Sequence, residues 1–367
     1  MKSKGDLNRS LLVNIKMAIQ QIRINNLRII EDAELEPAQG LNLIYGKNGS
    51  GKTSILEAVY LLGRGKSFRN AEQEQLIRKG QGQLMLFARI RNGQRQHVIG
   101  LAKSQVTTQA KLDGERVTRM SDLARAVPLA VITPNSHEIL ERGPQYRRRF
   151  LDWGVFHVEP GFRNAFERYS RCLKQRNAAL RIRSGFDGTW DRELAETAEE
   201  VNNYRASYQT ILCEKIVALT DRLLDIGKIE INWIRGWTDK SDFEQVLKDT
   251  VQGDIQAGYT RYGPHRADLS IKIHGNKAEK IASRGQQKML VAIMHLAQVE
   301  IARALSGTDT LILIDDLTSE LDISNRQILL QYLGESENQV LITGVEDISQ
   351  DAPYFSKVFH VEQGMVS

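Results

Sequence analysis

Eight residues, Gly46-Lys47-Asn48-Gly49-Ser50-Gly51-Lys52-Thr53, restrict what this chain can fold into more than any other stretch. They spell G-x-x-x-x-G-K-T, a phosphate-binding loop. Glycines reach backbone angles that a Cβ forbids, so successive N–H groups can turn inward on a phosphate chain. Lys52 offers a point charge to the β and γ phosphates, and the Thr53 hydroxyl suits Mg²⁺; Ser54 follows as the last of the nucleotide-binding run. Leu41, Leu43 and Tyr45 alternate with Asn42 and Ile44, which predicts a strand before the loop. Ile55, Leu56, Val59 and Leu62 recur at helical spacing, which predicts a helix after it, with Gly63 as its stop. Strand, glycine loop and helix N-terminus in that order make an anion site, which a chance glycine-rich turn would not.

The chain has 367 residues, 41% hydrophobic and 26% charged, enough for two domains. A net charge of +5 and a pI near 9.0 fit an anionic partner. Cys172 and Cys213 have neither metal-ligand spacing nor a disulfide framework, so a reducing cytoplasm is expected. No run of about 18 apolar residues is present, so no membrane partner is expected. Residues 1–16 lack the apolar core of a signal peptide and read as an extension or tag.

Ile22 and Ile24 alternate with polar residues as a first strand, and Asp32 to Leu35 reads as its hairpin partner. Residues 64–82 read as a loop around a short helix. Alternation through Leu84, Leu86, Ala88 and Ile90, then Val98 and Leu101, with a hairpin turn at Asp113-Gly114, predicts an antiparallel layer after the loop's helix. Pro128 to Thr133 reads as a buried strand. From Glu141 to Asp152 the character changes, with Arg147, Arg148 and Arg149 in a proline-started helix. Two readings stand there: a phosphate or DNA contact, or an ion-pair network with Asp152 and Glu141.

Phe162, Phe166, Tyr169, Leu173 and Leu180 form a heptad seam. After a break at Ser184 to Gly188, a second stripe runs from Leu194 through Val201, Tyr204, Tyr208, Leu212, Ile216 and Leu219 to Leu223, predicting an antiparallel helical hairpin. Its first leg is basic and its second starts acidic, which suggests pairing between the legs, with surplus arginines left for a DNA backbone. Ile229 to Trp233 and Leu269 to Ile273 read as strands, and Phe243 to Val251 as a helix. The expected division is residues 17–140 and 258–367 as two halves of a nucleotide domain, with 141–257 as a helical insertion.

Leu311-Ile312-Leu313-Ile314-Asp315-Asp316 reads as a buried parallel strand ending in two carboxylates at the edge where α/β sheets bind ligands. Asp315 is assigned to Mg²⁺, and Asp316, with Lys52, to catalysis by orienting or deprotonating the attacking water. Ser283-Arg284-Gly285-Gln286 opens an amphipathic helix, either simply capped or ready for a phosphate.

A phosphate loop, a helical insertion, S-x-G-Q, an apolar strand with two acids, Ser319-Glu320-Leu321-Asp322 and the strand Val340 to Thr343 together resemble the ABC-type ATPase head. The resemblance implies an α/β fold with a mixed sheet, plus an inserted helical domain bearing a short antiparallel coiled-coil hairpin. It makes Ser283, Gly285 and Gln286 a signature motif that meets the ATP of a partner head, and Ser319 to Asp322 a D-loop. Thr343 and Gly344 stand where transporters often carry a histidine. Thr133-Pro134, Gly143-Pro144 with Arg147 to Asp152, Gly263-Pro264-His265-Arg266 and the Asp315-Asp316 segment further resemble the RecF family of DNA replication and repair proteins, from about Met17 to the C-terminus. This implies an ATP- and Mg²⁺-dependent homodimer on double-stranded DNA and single-strand/duplex junctions, acting with RecR and RecO to help RecA assemble, in the cytoplasm at the nucleoid. It also places Arg28 near the nucleotide. A transporter ATPase subunit, a chromosome-structure ATPase and a small-molecule kinase are the competing readings. The hairpin and arginine run, the short heptads, and the signature and D-loop segments count against them in turn.

Overall fold

The computed structural model describes residues 16–69, 73–182, 186–238, 240–350 and 353–367; residues 1–15 of the expected extension, Arg183 and the Ser184-Gly185 turn lie outside these. The chain divides into two compact units, 1–133 with 309–367, and 134–308.

The first unit has two six-stranded sheets. One is antiparallel, in the order Ile30–Leu35, Ala18–Leu27, Gln83–Asn92, Arg95–Ser104, Thr108–Leu112, Glu115–Arg116. Its first two strands precede the phosphate loop, so the layer only partly follows it. The other runs Met365–Val366, Phe355–Glu362, Leu41–Tyr45, Val340–Gly344, Leu311–Ile314, Leu129–Ile132, with every pair parallel except the terminal one. The helix Lys52–Arg64 lies between the sheets and is buried nearly all round. Gly63 does not end it. The stop is Gly65, left-handed at φ 66°, whereas Gly63 lies inside the helix, where a Cβ would come within 2.5 Å of Leu129. Buried Gln339 ties the sheets, accepting from Ile19 N (2.7 Å) and donating to Ile19 O (3.0 Å).

The second unit is helical around a three-stranded antiparallel sheet, Asn276–Lys277, Asp268–Ile273, Ile229–Ile234. That sheet explains why the expected boundary at 257/258 moves to 308/309. The strand 268–273 pairs with 229–234, and the helix Arg284–Ser306 packs on Pro144–Val158 and Asp191–Leu223. The other expected boundary, 140/141, moves to 133/134 because the turn Glu138–Glu141 packs on the helix that follows. Arg284–Ser306 is long and apolar enough to cross a membrane, but two thirds of its most apolar window is buried inside the unit.

The hairpin legs are Phe162–Ile182 and Asp191–Leu223. On the first leg the buried set is Phe162, Ala165, Tyr169, Cys172, Arg176 and Leu180, at spacings of three and four; Phe166 is 37% exposed and outside it. Arg176 is fully buried. Its Nε donates to Asp191 (2.7 Å), and Nη1 to Asp254 (2.8 Å) and Thr260 (2.8 Å). With Arg168–Glu200 (3.4 Å) this pairs the two legs, as their opposite charges suggested.

The His265 ring sits between the Tyr169 hydroxyl (2.6 Å) and the Thr260 carbonyl (2.9 Å). Burial pushes its pKa down to about 4, helped by the charges of Arg266 and Arg148 and opposed by the hydrogen bond to the Thr260 carbonyl and, more weakly, by Asp254. Below pH 6.5 the unfolded chain takes up a proton that the folded chain refuses, so stability falls as pH drops from 6.5 towards 4. Urea denaturation at pH 7 and pH 5 checks this, because His265→Gln should flatten the fall over that interval by up to about 2 kcal/mol. Arg176→Ala leaves a carboxylate without that partner in the interior and should cost about 3–5 kcal/mol by the same assay. A loss below about 1 kcal/mol would mean that Arg261, 3.0 Å from Asp254, suffices.

Candidate nucleotide site

The strand Leu41–Tyr45 delivers the chain to the loop, and the helix N-terminus receives it at Lys52. Gly46 is held at φ 153°, where a Cβ would lie 2.2 Å from the Val361 carbonyl oxygen, so no other residue fits. Gly49 and Gly51 are also at positive φ. Gly46 N donates to Gly344 O (3.3 Å), which fastens the loop to the neighbouring strand.

Lys52 is 7% exposed, and its Nζ donates to the carbonyls of Gly46 (2.6 Å) and Lys47 (2.9 Å). Burial holds its pKa below the usual lysine range, opposed by the charges of Asp316 and Asp315. An amine held by carbonyls at a helix N-terminus is suited to an anion. Ser50 Oγ is buried with no hydrogen-bond partner among the described residues. Both features fit a phosphate chain.

Asp315 is 7% exposed at the end of the fully buried strand Leu311–Ile314. Its Oδ1 accepts from Thr53 Oγ1 (2.9 Å) and Thr343 Oγ1 (2.8 Å). Burial pushes its pKa up, while those two hydroxyls, and the Arg69 charge more weakly, pull it down. A hydroxyl and a carboxylate already in contact are the oxygen ligands a hard cation takes, so Thr53 and Asp315 fit Mg²⁺. Asp316 stands at φ 57°, ψ 47°, and its N–H donates to Thr343 Oγ1 (2.8 Å). A non-glycine residue held left-handed costs about 1–3 kcal/mol and persists only where its surroundings impose it.

Four of the expected residues, Lys52, Thr53, Asp315 and Asp316, thus share one sheet edge with Gly46 to Ser54. Arg28 is anchored to the loop's helix: its guanidinium binds the fully buried Glu57 (Nη2 to Oε1 3.0 Å). Ser283 N-caps Arg284–Ser306 in a capping box, accepting from Gln286 N (3.3 Å) and donating its own N–H to Gln286 Oε1 (3.0 Å). Its hydroxyl proton is left for another acceptor. Asp322 caps the next helix through Asn325 N (2.9 Å), and the side chains of Ser319 and Glu320 lie outside the described residues.

The arginine run separates. Arg147 is bidentate to Asp268 (2.7 and 3.1 Å) and donates to Arg142 O (2.8 Å), a structural pairing with a residue the sequence reading did not name. Asp152 binds Arg205 and Glu141 binds Arg284 instead. Arg148 donates to Ala267 O (2.6 Å), and Arg149 is exposed beside the Tyr146 ring. Sequence reasoning placed Thr343 where transporters often carry a histidine but gave it no site role, whereas it holds both acids. Its position after Val340 to Ile342 was the available signal. Thr343→Val should lower ATP turnover at least about tenfold with little change in nucleotide affinity, and Thr343→Ser should restore it. Steady-state ATPase with a fluorescent nucleotide titration separates the two; an equal loss of affinity would mean the threonine serves the fold instead.

Residues 18–367 match the RecF/RecN/SMC N-terminal domain family. The chain is 40% identical over 359 residues to the DNA replication and repair protein RecF of Shewanella frigidimarina, covering 96% of this chain and 99% of that one. The RecF of Shewanella oneidensis is similar to the same degree. A solved structure described as the recombination mediator protein RecF-ATP in the RecFOR pathway superposes with a TM-score of 0.84 at 24% identity, covering 97% and 98% of the two chains. A Smc head domain from Pyrococcus furiosus does so at 0.61 and 16%, covering 96% and 95%. These likenesses show the fold of an ABC/SMC-type ATPase head.

Proposed function

The chain belongs to the RecF family, and from that premise we propose that it is an ATP-dependent DNA-binding protein of recombinational repair and replication restart. The observation that carries this reading is the convergence of Lys52, Thr53, Asp315 and Asp316 on one sheet edge, in a chain that aligns over nearly its whole length with RecF proteins. Gly46 to Ser54 cradle the phosphates, and Lys52 meets the β and γ oxygens. Thr53 and Asp315 hold Mg²⁺, which when bound neutralises phosphate charge. Asp316 orients the attacking water. An aspartate reaches about one methylene less than a glutamate, so hydrolysis is slow.

Two copies close on ATP, with Ser283, Gly285 and Gln286 of one facing the nucleotide of the other. Nucleotide binding and dimerisation then share a coupling free energy. The dimer holds duplex DNA at gaps or single-strand/duplex junctions in the cytoplasm, acts with RecR and RecO to help RecA load, and releases on hydrolysis. DNA stimulates the weak ATPase. Of the arginine run, exposed Arg149 is the residue best suited to a phosphate, since Arg147 is spent on Asp268.

Analytical ultracentrifugation with a fluorescent duplex, with and without ATP at two salt concentrations, tests this. A DNA-bound dimer that forms only with ATP is expected. Lys52→Ala should weaken nucleotide binding, whereas Lys52→Arg and Asp316→Asn should bind ATP, fail to turn it over and trap the dimer. Full turnover in both of the last two would overturn the site assignment, and a monomer indifferent to ATP and DNA would overturn the clamp.

A further inference from the structure

Gly263-Pro264-His265-Arg266 takes no part in the nucleotide site, and the loop that carries it, from Gly258 to Ala267, is pinned at short intervals. Thr260 is 1% exposed and donates through both N–H (2.7 Å) and Oγ (2.8 Å) to Asn177 Oδ1. Gly263 sits at φ 126°, with Phe243 only 2.8 Å from where a Cβ would be. The Pro264 carbonyl accepts from Arg205 Nη1 (2.7 Å). Beside these anchors Tyr259 is 42% exposed, Tyr262 is 40% exposed, and Arg266 faces solvent. The Arg266 guanidinium lies 5.4 Å from the Tyr259 ring centre, and that of Arg261 5.7 Å from Tyr262.

The charge beside the loop does not balance. Four guanidinium groups, Arg147, Arg148, Arg205 and Arg266, share two carboxylates, Asp152 and Asp268. Arg205 takes Asp152 and Arg147 takes Asp268. Arg148 is left with a backbone carbonyl, and Arg266 has no carboxylate within ion-pair distance among the described residues. Burial, then the charges of Arg205 and Arg266, push the Arg148 pKa down, although Asp268 and Asp152 oppose this. Like charges fixed side by side repel, and an anion relieves that repulsion.

We propose that this loop is a platform for single-stranded nucleic acid, with bases stacking on Tyr259 and Tyr262 and backbone phosphates meeting Arg266 and Arg148. Solvent-exposed aromatic side chains beside arginines that lack a carboxylate partner, on a pinned loop, are what a single strand uses. A duplex keeps its base faces stacked inside and would leave the tyrosines idle. An acidic peptide would meet the arginines but not explain the rings. The platform rests on the DNA-binding reading above and gives the single-strand arm of a junction its own contact, distinct from the duplex.

Fluorescence anisotropy of the full chain with a labelled oligothymidylate of about 20 nucleotides, and separately with a blunt duplex, tests it at two salt concentrations. Arg266→Gln and the double variant Tyr259→Ala/Tyr262→Ala alter exposed side chains, and thermal melts and ATP turnover should match the parent. Each should weaken oligothymidylate binding about tenfold, leave duplex binding unchanged, and in Arg266→Gln make the salt dependence shallower by about one phosphate contact. Oligothymidylate affinity within about twofold of the parent, or an equal loss for duplex, overturns the platform, as does displacement of the oligonucleotide by polyglutamate at equal charge. A parent chain that forms an ATP-dependent dimer on duplex but ignores oligothymidylate overturns the platform and keeps the repair reading. A parent that binds no DNA removes both.

Discussion

The buried carboxylate of Asp315 is the constraint on which the nucleotide site depends. An ionised carboxylate at the end of four aliphatic residues is costly unless its lone pairs are met. Two hydroxyls meet them, one from the loop's helix and one from the adjacent strand. Thr53 lies 262 residues before Asp315 and Thr343 lies 28 after it, yet one oxygen atom joins them, so three elements meet at one place. Asp316 then inherits its left-handed backbone, because its N–H is held by the same threonine that binds Asp315. One threonine side chain thus positions the backbone of Asp316 and the carboxylate of Asp315 together.

The second unit depends on buried guanidinium groups in the same way. Arg176, Arg205 and Arg147 each sit in the interior or at its margin and reach carboxylates or carbonyls on elements far along the chain. Each pair exchanges hydration for hydrogen bonds whose geometry admits little movement. The return is specificity of position: Asp254, Thr260 and Asn177 converge around Arg176, and the loop from Gly258 to Ala267 is fixed from beneath. A loop fixed in this way can keep two tyrosines and two arginines at a surface without collapsing onto them.

Features set by local spacing could be read from the sequence. The phosphate loop, its strand and helix, the aliphatic strand with two acids and the helical hairpin all depend on neighbours within a few residues, so their elements appear where the periodicity put them. Features set by distant pairing could not be read. Arg176 belongs to a leg that reads simply as basic, and only Asp254, 78 residues later, shows that it is interior. Arg147 finds Asp268 and Arg28 finds Glu57 by the same route. Gly63 and Gly65 are both plausible stops in sequence, and the close approach of Leu129 assigns the first to packing and the second to the cap. The domain boundary moved because strand pairing between 229–234 and 268–273 has no signature within either segment.

One strand end connects both halves of the nucleotide site. Val340–Gly344 presents Thr343 to the two acids through its side chain, and Gly344 accepts from Gly46 N through its carbonyl. Gly344 is also close to Thr318, whose hydroxyl accepts from Val345 N (3.3 Å). The phosphate loop and the acids therefore share a mechanical support of two residues, although the strand itself contributes no group from the expected set. A displacement there moves cradle and acids together, which keeps their spacing while changing their common position. A displacement of the aliphatic strand alone would separate them, and its burial between two parallel neighbours opposes that.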